Sequence, residues 1–409
     1  MNTNDIAITL PASKSLSNRW LIINHFHQGC FQLKNLSTST DTQQLRLLLQ
    51  QLRRGSDSPY FCGNAGTVAR FMMAVLAISS GTHFLTGDAR LKQRPMADLI
   101  EALRGLGFSI RCVEREGFLP VEIVGGNPTR KMAFINPTLS SQFVSALMLM
   151  APELPGGMTI TLTDRAASRP YIDMTRLLLK QTGVEISISA NKRVYSIPCR
   201  IQKPKLQSVS IESDWSAASY FYLAAALLGG RRIRLKGLSL DTVQGDVVVA
   251  EMFSHLGVKT SVVRSPYRHN ITSLTLTATQ PPEPKVAFNF LDYPDLLPAV
   301  AVACAALQIE AHLRGIRNLR YKETDRIEAV STELSKMGAN LKVTDTEIYI
   351  KPSKLHPVGP VSTYGDHRIA MAFAPLRLLF PDLEIENPEV VEKSFPDFWN
   401  QFKLCFSAK

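Results

Sequence analysis

No stretch of this 409-residue chain is apolar for long enough to cross a bilayer. The longest runs, such as Ala299–Leu307, fall far short of the roughly 20 residues a spanning helix needs. The opening residues Met1-Asn2-Thr3-Asn4-Asp5 have neither a basic n-region nor an apolar h-region, and no Arg- and Ser-rich transit composition. A cytoplasmic protein without a membrane partner is therefore expected. Cysteine is sparse: the six residues Cys30, Cys62, Cys112, Cys199, Cys304 and Cys405 form no C-x-x-C pair. That excludes a zinc ribbon or a disulfide frame and leaves reduced, mostly buried thiols. His25 and His27, the one close histidine pair, have no Cys or carboxylate beside them and read as ordinary helix positions, so no metal site is expected. Runs of Lys and Arg interleaved with aromatics are also missing. The net charge of +11 is scattered, with many basic residues beside Ser, Gly, Asn or Asp. Such a charge fits a phosphorylated small molecule better than nucleic acid.

What is present is length and repetition. A chain of 409 residues exceeds what one core usually supports, so two domains are expected, and 45% hydrophobic with 20% charged residues is ordinary for a globular protein. One pattern recurs six times: a long apolar helix, a turn, then a short strand. It runs Leu21–His27 to Leu33, Phe71–Ile78 to Leu85, Phe143–Met150 to Leu162, Tyr220–Leu228 to Leu235, Leu297–Leu307 to Leu313, and Ile369–Leu379 to Leu383–Ile385. The spacing is about 75 residues, but about 50 between the first two copies, so the first unit has lost its late strands. Amphipathic helices closed by a glycine interleave with these, at Gly107, Gly183, Gly257 and Gly338. Each unit thus reads β-α-β-α-β-β. A helix apolar on every side must be buried all round. The expected fold class is α/β: two inverted α/β domains of three repeats each, with buried helices inside and sheets outside.

The lead-ins to the six apolar helices carry small, polar or charged residues. They are Ser13-Lys14-Ser15-Leu16-Ser17-Asn18-Arg19, Gly63-Asn64-Ala65-Gly66-Thr67, Leu139-Ser140-Ser141-Gln142, Glu212-Ser213-Asp214-Trp215-Ser216, Asp292-Tyr293-Pro294-Asp295 and Tyr364-Gly365-Asp366-His367-Arg368. Ser, Asn and Asp are good N-caps anywhere. Lys14, Arg19 and Arg368 are not explained by capping, because a helix N-terminus is already positive. Cations there call for a bound anion, which the free N–H groups would also attract. A further charged segment, Arg320-Tyr321-Lys322-Glu323-Thr324-Asp325-Arg326, opens the amphipathic helix that ends near Gly338. Lys322 and Arg326 lie four apart and are expected to share a face near its start.

Together these segments resemble the 3-phosphoshikimate 1-carboxyvinyltransferase (EPSP synthase) family of enolpyruvyltransferases, from Leu10 to Phe402. The motifs that carry the resemblance are Ser13–Arg19, Gly63–Arg70, Leu91-Lys92-Gln93-Arg94-Pro95, Ser140-Ser141-Gln142, Ser168-Arg169-Pro170-Tyr171, Pro294-Asp295, Lys322–Arg326, Asp366-His367-Arg368 and Lys393-Ser394-Phe395-Pro396-Asp397. The resemblance implies that the chain crosses between domains twice, near residues 12 and 212, making one domain of residues 13–211 and another of 1–12 with 212–409. It implies an active site in the cleft between them, with phosphoenolpyruvate and shikimate 3-phosphate as substrates and no cofactor. By the same resemblance, shikimate 3-phosphate takes Lys14, Ser15, Arg19, Ser140, Ser141, Gln142, Ser168, Asp295, Asn318 and Lys322. Phosphoenolpyruvate takes Lys14, Gly66, Arg94, Gln142, Arg326, Arg368 and Lys393, with room beside the Gly66 backbone. Asp295, Glu323 and Lys322 are the implied catalytic groups. A monomer is the default expectation.

Two departures stand out: Asp41–Cys62 is shorter than the family usually has, with Thr40 where a second Asp is common, and Ala12 replaces a usual Gly. Two rival readings are weighed. A UDP-N-acetylglucosamine enolpyruvyltransferase would carry a reactive Cys in the loop matching Ala89–Asp98, which has none. A nucleic-acid-end-binding protein on a related repeat would need a continuous basic track.

Overall fold

The computed structural model describes residues 5–56, 58–200, 207–264 and 272–406. The first four residues, on which the leader reading rests, lie outside them. The chain divides into two compact units, residues 14–211 and residues 1–13 with 212–409.

In the 14–211 unit, the second apolar stretch shows how a repeat is built. Strand Tyr60–Phe61 runs parallel to Gly81–Thr86, and helix Gly66–Ala77 connects them. Helix Ala97–Leu106 follows, then Ser109–Cys112 and Val121–Gly125 close the sheet antiparallel. Pairing order in space is first, second, fourth, third. The sheet that begins at Met132–Ile135 repeats this order, as do those that begin at Ile6–Thr9 and Lys285–Asn289 in the other unit. Physical logic follows the pattern. Gly66–Ala77 is buried from end to end apart from Thr67, and Leu297–Ala306 (LPAVAVACAA) has no polar residue to turn outward. The amphipathic helices stop where expected: Gly107 closes Ala97–Leu106 with φ +100°, and Gly338 follows Arg326–Lys336 with φ +83°, a conformation only glycine adopts without strain.

The chain exchanges strands where it passes from one unit to the other. Helix Lys14–Phe26 leads to strand Gln32–Lys34, whose parallel partner is Ser208–Ser210, far away in sequence. Helix Trp215–Leu228 leads to Arg232–Lys236, whose parallel partner is Ile6–Thr9. Thus each linking segment supplies the strand that the other's helix needs. The two segments run side by side, with Ser13 N–H donating to Glu212 O and Asp214 N–H to Pro11 O, both at 2.9 Å.

Four expectations need correction. The sixth repeat is truncated like the first: helix His367–Phe373 gives way to a 3-10 turn Ala374–Leu378, because Pro375 cannot donate to the helix ladder. Its strand shrinks to one parallel bridge, Val361 with Ile385. Next, Lys322 is not on a helix. Residues Arg317–Tyr321 form a 3-10 turn, Lys322 is extended, and the α-helix begins at Arg326 with Asp325 as N-cap accepting from Ile327 and Glu328 N–H. The i, i+4 argument for Lys322 and Arg326 therefore fails. Third, only Cys62, Cys304 and Cys405 of the six free thiols are buried, and Cys30 is exposed. Finally, His27 lies just past the end of its helix, Lys14–Phe26, and packs edge-on against Phe31. Among the described residues no helix is long and apolar enough to cross a membrane.

Candidate active site

In the 14–211 unit the starts of three buried helices lie at one end. Arg19, sixth residue of Lys14–Phe26, bonds through Nη2 to Ser145, fifth residue of Ser141–Met150, and its guanidinium sits 5.5 Å from the ring of Phe71, sixth in Gly66–Ala77. Near those starts, Arg70 donates to Gln142 Oε1 at 2.6 Å. Matching depths on three helices mean level N-termini, whose free N–H groups add positive potential.

Arg19 is 1% exposed, yet all its hydrogen-bond partners are neutral: Thr175 Oγ1 at 2.7 Å, Ser15 O at 3.0 Å, Ser145 Oγ at 3.1 Å and Tyr171 O at 3.2 Å. Burial lowers its pKa to about 10, so it still carries its charge at neutral pH. A buried cation without a carboxylate is costly unless an anion arrives. Lys14 by contrast is paired with Asp41 at 2.9 Å. Ser140 caps its helix, its Oγ accepting from Gln142 N–H, and Ser141 is buried behind it. Ser168 is buried with φ +55° and ψ +42°, an uncommon conformation for a residue with a side chain. Gly66 behaves differently from expectation. The space a Cβ would fill is held by the buried Arg94 guanidinium, 2.7 Å from the ideal Cβ position.

The other unit assembles opposite charges. Asp295 lies in the 3-10 turn before helix Leu297–Ala306, Arg326 opens helix Arg326–Lys336, and Arg368 is second in helix His367–Phe373. Asp295 accepts from Arg326 Nη1 at 2.8 Å through Oδ1 and from Arg368 Nη2 at 2.7 Å through Oδ2. Arg326 also holds Glu323 at 2.7 Å and Asp366 at 2.7 Å. Lys393 Nζ is 3.8 Å from Glu323. Burial opposes the charge on Asp295, but Arg368, Lys322 and Arg326 outweigh it and hold the carboxyl well below its usual range. Arg326 is shifted the opposite way: burial works against it, and Asp366, Glu323 and Asp295 raise it further. Asn318 is buried with no partner for Oδ1. Of the residues expected here, Asp295, Glu323, Arg326, Arg368 and Lys393 form one bonded cluster, and Lys322 is close enough to act on Asp295.

Some members went unrecognised in the sequence. Asp366 reads as an N-cap, which it is, accepting from Arg368 N–H at 2.9 Å, but it is also a ligand of Arg326. Arg70 stands in a quoted motif, and its role as the donor to Gln142 had no sequence signal. Asp246 is buried, accepts from Ser216 Oγ, and is pushed up to about 7 by burial and by Asp295. Nothing in Gln244-Gly245-Asp246 advertises it.

These features are those of a two-unit α/β repeat fold with arginine, lysine and carboxylate side chains gathered near helix starts. The family model described as EPSP synthase (3-phosphoshikimate 1-carboxyvinyltransferase) matches residues 50–402, and the chain belongs to that family. It is 38% identical over 401 residues to a 3-phosphoshikimate 1-carboxyvinyltransferase of Bacteroides fragilis, covering 97% of this chain and 94% of the relative. It is 34% identical over 414 residues to one from Sulfurovum, covering 96% and 94%. Among solved structures it resembles an EPSP synthase from Acinetobacter baumannii, with TM-score 0.75 and 22% identity over 97% of this chain and 94% of that one. That similarity concerns the fold: two inverted α/β domains.

Proposed function

We propose that the protein transfers the carboxyvinyl group of phosphoenolpyruvate to the 5-hydroxyl of shikimate 3-phosphate and releases phosphate. Family membership supports the reaction. The observation that carries the residue assignment is the cluster in which Asp295 and Glu323 are tied to Arg326 and Arg368. The two units act as the two domains, and each supplies part of the substrate set. Lys14, Ser15, Arg19, Ser140, Ser141, Gln142 and Ser168 serve shikimate 3-phosphate from one unit, with Asp295, Asn318 and Lys322 from the other. Gly66, Arg94, Lys14 and Gln142, with Arg326, Arg368 and Lys393, serve phosphoenolpyruvate.

Asp295 takes the proton of the 5-hydroxyl as its oxygen bonds to C2 of phosphoenolpyruvate. Glu323, entering the step as the carboxylic acid protonated from solvent, gives its proton to the methylene carbon, which becomes a methyl group, and is left as the carboxylate. Phosphate then leaves with the C–O bonding pair, Glu323 takes a methyl proton back, and the double bond returns. Lys322 assists at the hydroxyl, and the arginines stabilise charge on the departing phosphate. A carboxylate as strongly stabilised as Asp295 is a weak base. The substrate carboxylate competes for Arg326 and Arg368, and each guanidinium it takes raises the basicity of Asp295. The base is thereby activated by the binding of phosphoenolpyruvate, the substrate that the 5-hydroxyl attacks. The protein works in the cytoplasm as a monomer.

The test is phosphate release from purified protein with phosphoenolpyruvate, shikimate 3-phosphate, or both. Release that needs both is expected. No release with both present would overturn the assignment, and size-exclusion with light scattering tests the monomer.

A further inference from the structure

The turn that delivers Asp366 and Arg368 is held in an unfavourable shape by a group remote from the charge cluster. Asp366 N–H donates to Thr363 O at 2.9 Å, and the two residues between have φ +54° (Tyr364) and φ +67° (Gly365). Two consecutive positive φ values make a type I′ turn, whose first central position suits Gly, Asn or Asp and disfavours an aromatic residue. The helix Arg326–Lys336 supplies what holds it. Glu333 is 1% exposed and accepts from Tyr364 OH at 2.6 Å and Lys336 Nζ at 2.7 Å through Oε1, and from Ser362 N–H at 3.3 Å through Oε2. Arg326 and Glu333 are seven residues apart, two helical turns on one face, about 10 Å along the axis. Arg326 grips the turn beyond its tip through Asp366 at 2.7 Å, and Glu333 grips it before the tip. One rigid helix thus fixes both sides of the turn from which Arg368 reaches Asp295 at 2.7 Å.

We propose that Glu333 and Tyr364 are positioning residues that set the Arg326–Asp366–Arg368 geometry for the anionic end of a substrate. Given the proposed function, on which this rests, that substrate is phosphoenolpyruvate. Tyr364→Phe keeps the ring and removes only the hydroxyl; Glu333→Gln keeps the shape and removes the charge. Each is expected to raise KM for phosphoenolpyruvate about tenfold, with kcat and KM for shikimate 3-phosphate within about twofold of wild type. The double variant should be no worse than the poorer single one, because both act through the same Tyr364–Glu333 hydrogen bond, which one removes and the other weakens. A merely structural role would lower kcat through a smaller active fraction and leave both KM values unchanged. Tyr364→Phe with wild-type KM for phosphoenolpyruvate, or with an equal loss for both substrates, would overturn the proposal. Tyr364→Phe alone decides should Glu333→Gln not fold. Wild-type protein that releases no phosphate would sink the activity instead. The positioning claim would then rest on a crystal structure of Tyr364→Phe, supported if Asp366 leaves Arg326 and overturned if the contact is unchanged.

Discussion

Arg19 and Arg326 are both buried guanidinium groups, one in each unit, and their company differs in kind. Arg19 is surrounded by hydroxyls, carbonyls and aromatic rings; Arg326 holds three carboxylates at once. The first is an uncompensated charge that an incoming anion would neutralise. The second is already neutralised, and an incoming anion must displace what is there. In the 14–211 unit a ligand gains from a cation and hydroxyls built to receive it. In the other unit a ligand redistributes bonds among groups that then become reactive. On the proposed assignment, the unpaired cation lies in one half and the catalytic carboxylates in the other, though both are built from the same repeat.

Substitutions should expose that division. The largest effect is expected from Asp295→Ala, which removes the proton acceptor: kcat should drop by about 10²–10⁴-fold in steady-state assays. Arg19→Met should instead raise KM for shikimate 3-phosphate by about a hundredfold or more with a smaller change in kcat. Equal kcat losses in both variants would break the comparison. On stability, Arg326→Met leaves the buried Asp366 without its arginine and takes one partner each from the half-buried Asp295 and Glu323, and should cost about 3–5 kcal/mol in urea unfolding. Gly66→Ala puts a methyl group against Arg94. Because the far end of a flexible side chain must shift, several-fold weaker phosphoenolpyruvate KM and little loss of stability are expected. The smallest effect concerns pH. The folded value of Asp246, about 7, lies above the ordinary unfolded one near 4, so between them the folded chain holds a proton that the unfolded chain has released. Stability should therefore fall as pH rises from about 4 to 7. Asp246→Asn should flatten that fall, measured by unfolding across the range.

Most of the repeat was legible in the chain, since helices such as Leu297–Ala306 have no polar face and glycines stop their amphipathic neighbours. The strand exchange was not, because a partner such as Ser208–Ser210 for Gln32–Lys34 depends on tertiary pairing that no local pattern encodes. The truncated sixth repeat hid behind continued apolar sequence, although Pro375 marks the break. In the site, residue types pointed to anion binding, and lead-ins to helices located most of it. What sequence could not convey was pairing. Nothing local tells that Arg326 is shared by Asp295, Glu323 and Asp366, or that Arg94 fills the space beside Gly66. Nor does Lys322 look extended, because the Asp325 cap that starts the helix after it is obvious only in three dimensions.

Thermal unfolding of wild type, Arg19→Met and Arg326→Met, each with and without saturating shikimate 3-phosphate, tests the division most directly. Wild type should gain several degrees with the ligand, since saturation at about 100 Kd contributes about 2.7 kcal/mol. Arg19→Met should melt at or above wild type alone and gain little with ligand; Arg326→Met should melt lower and still gain. An Arg19→Met protein that shows the full ligand-induced rise, or melts as low as Arg326→Met, would contradict the assignment of Arg19 as a cation kept bare for a substrate anion.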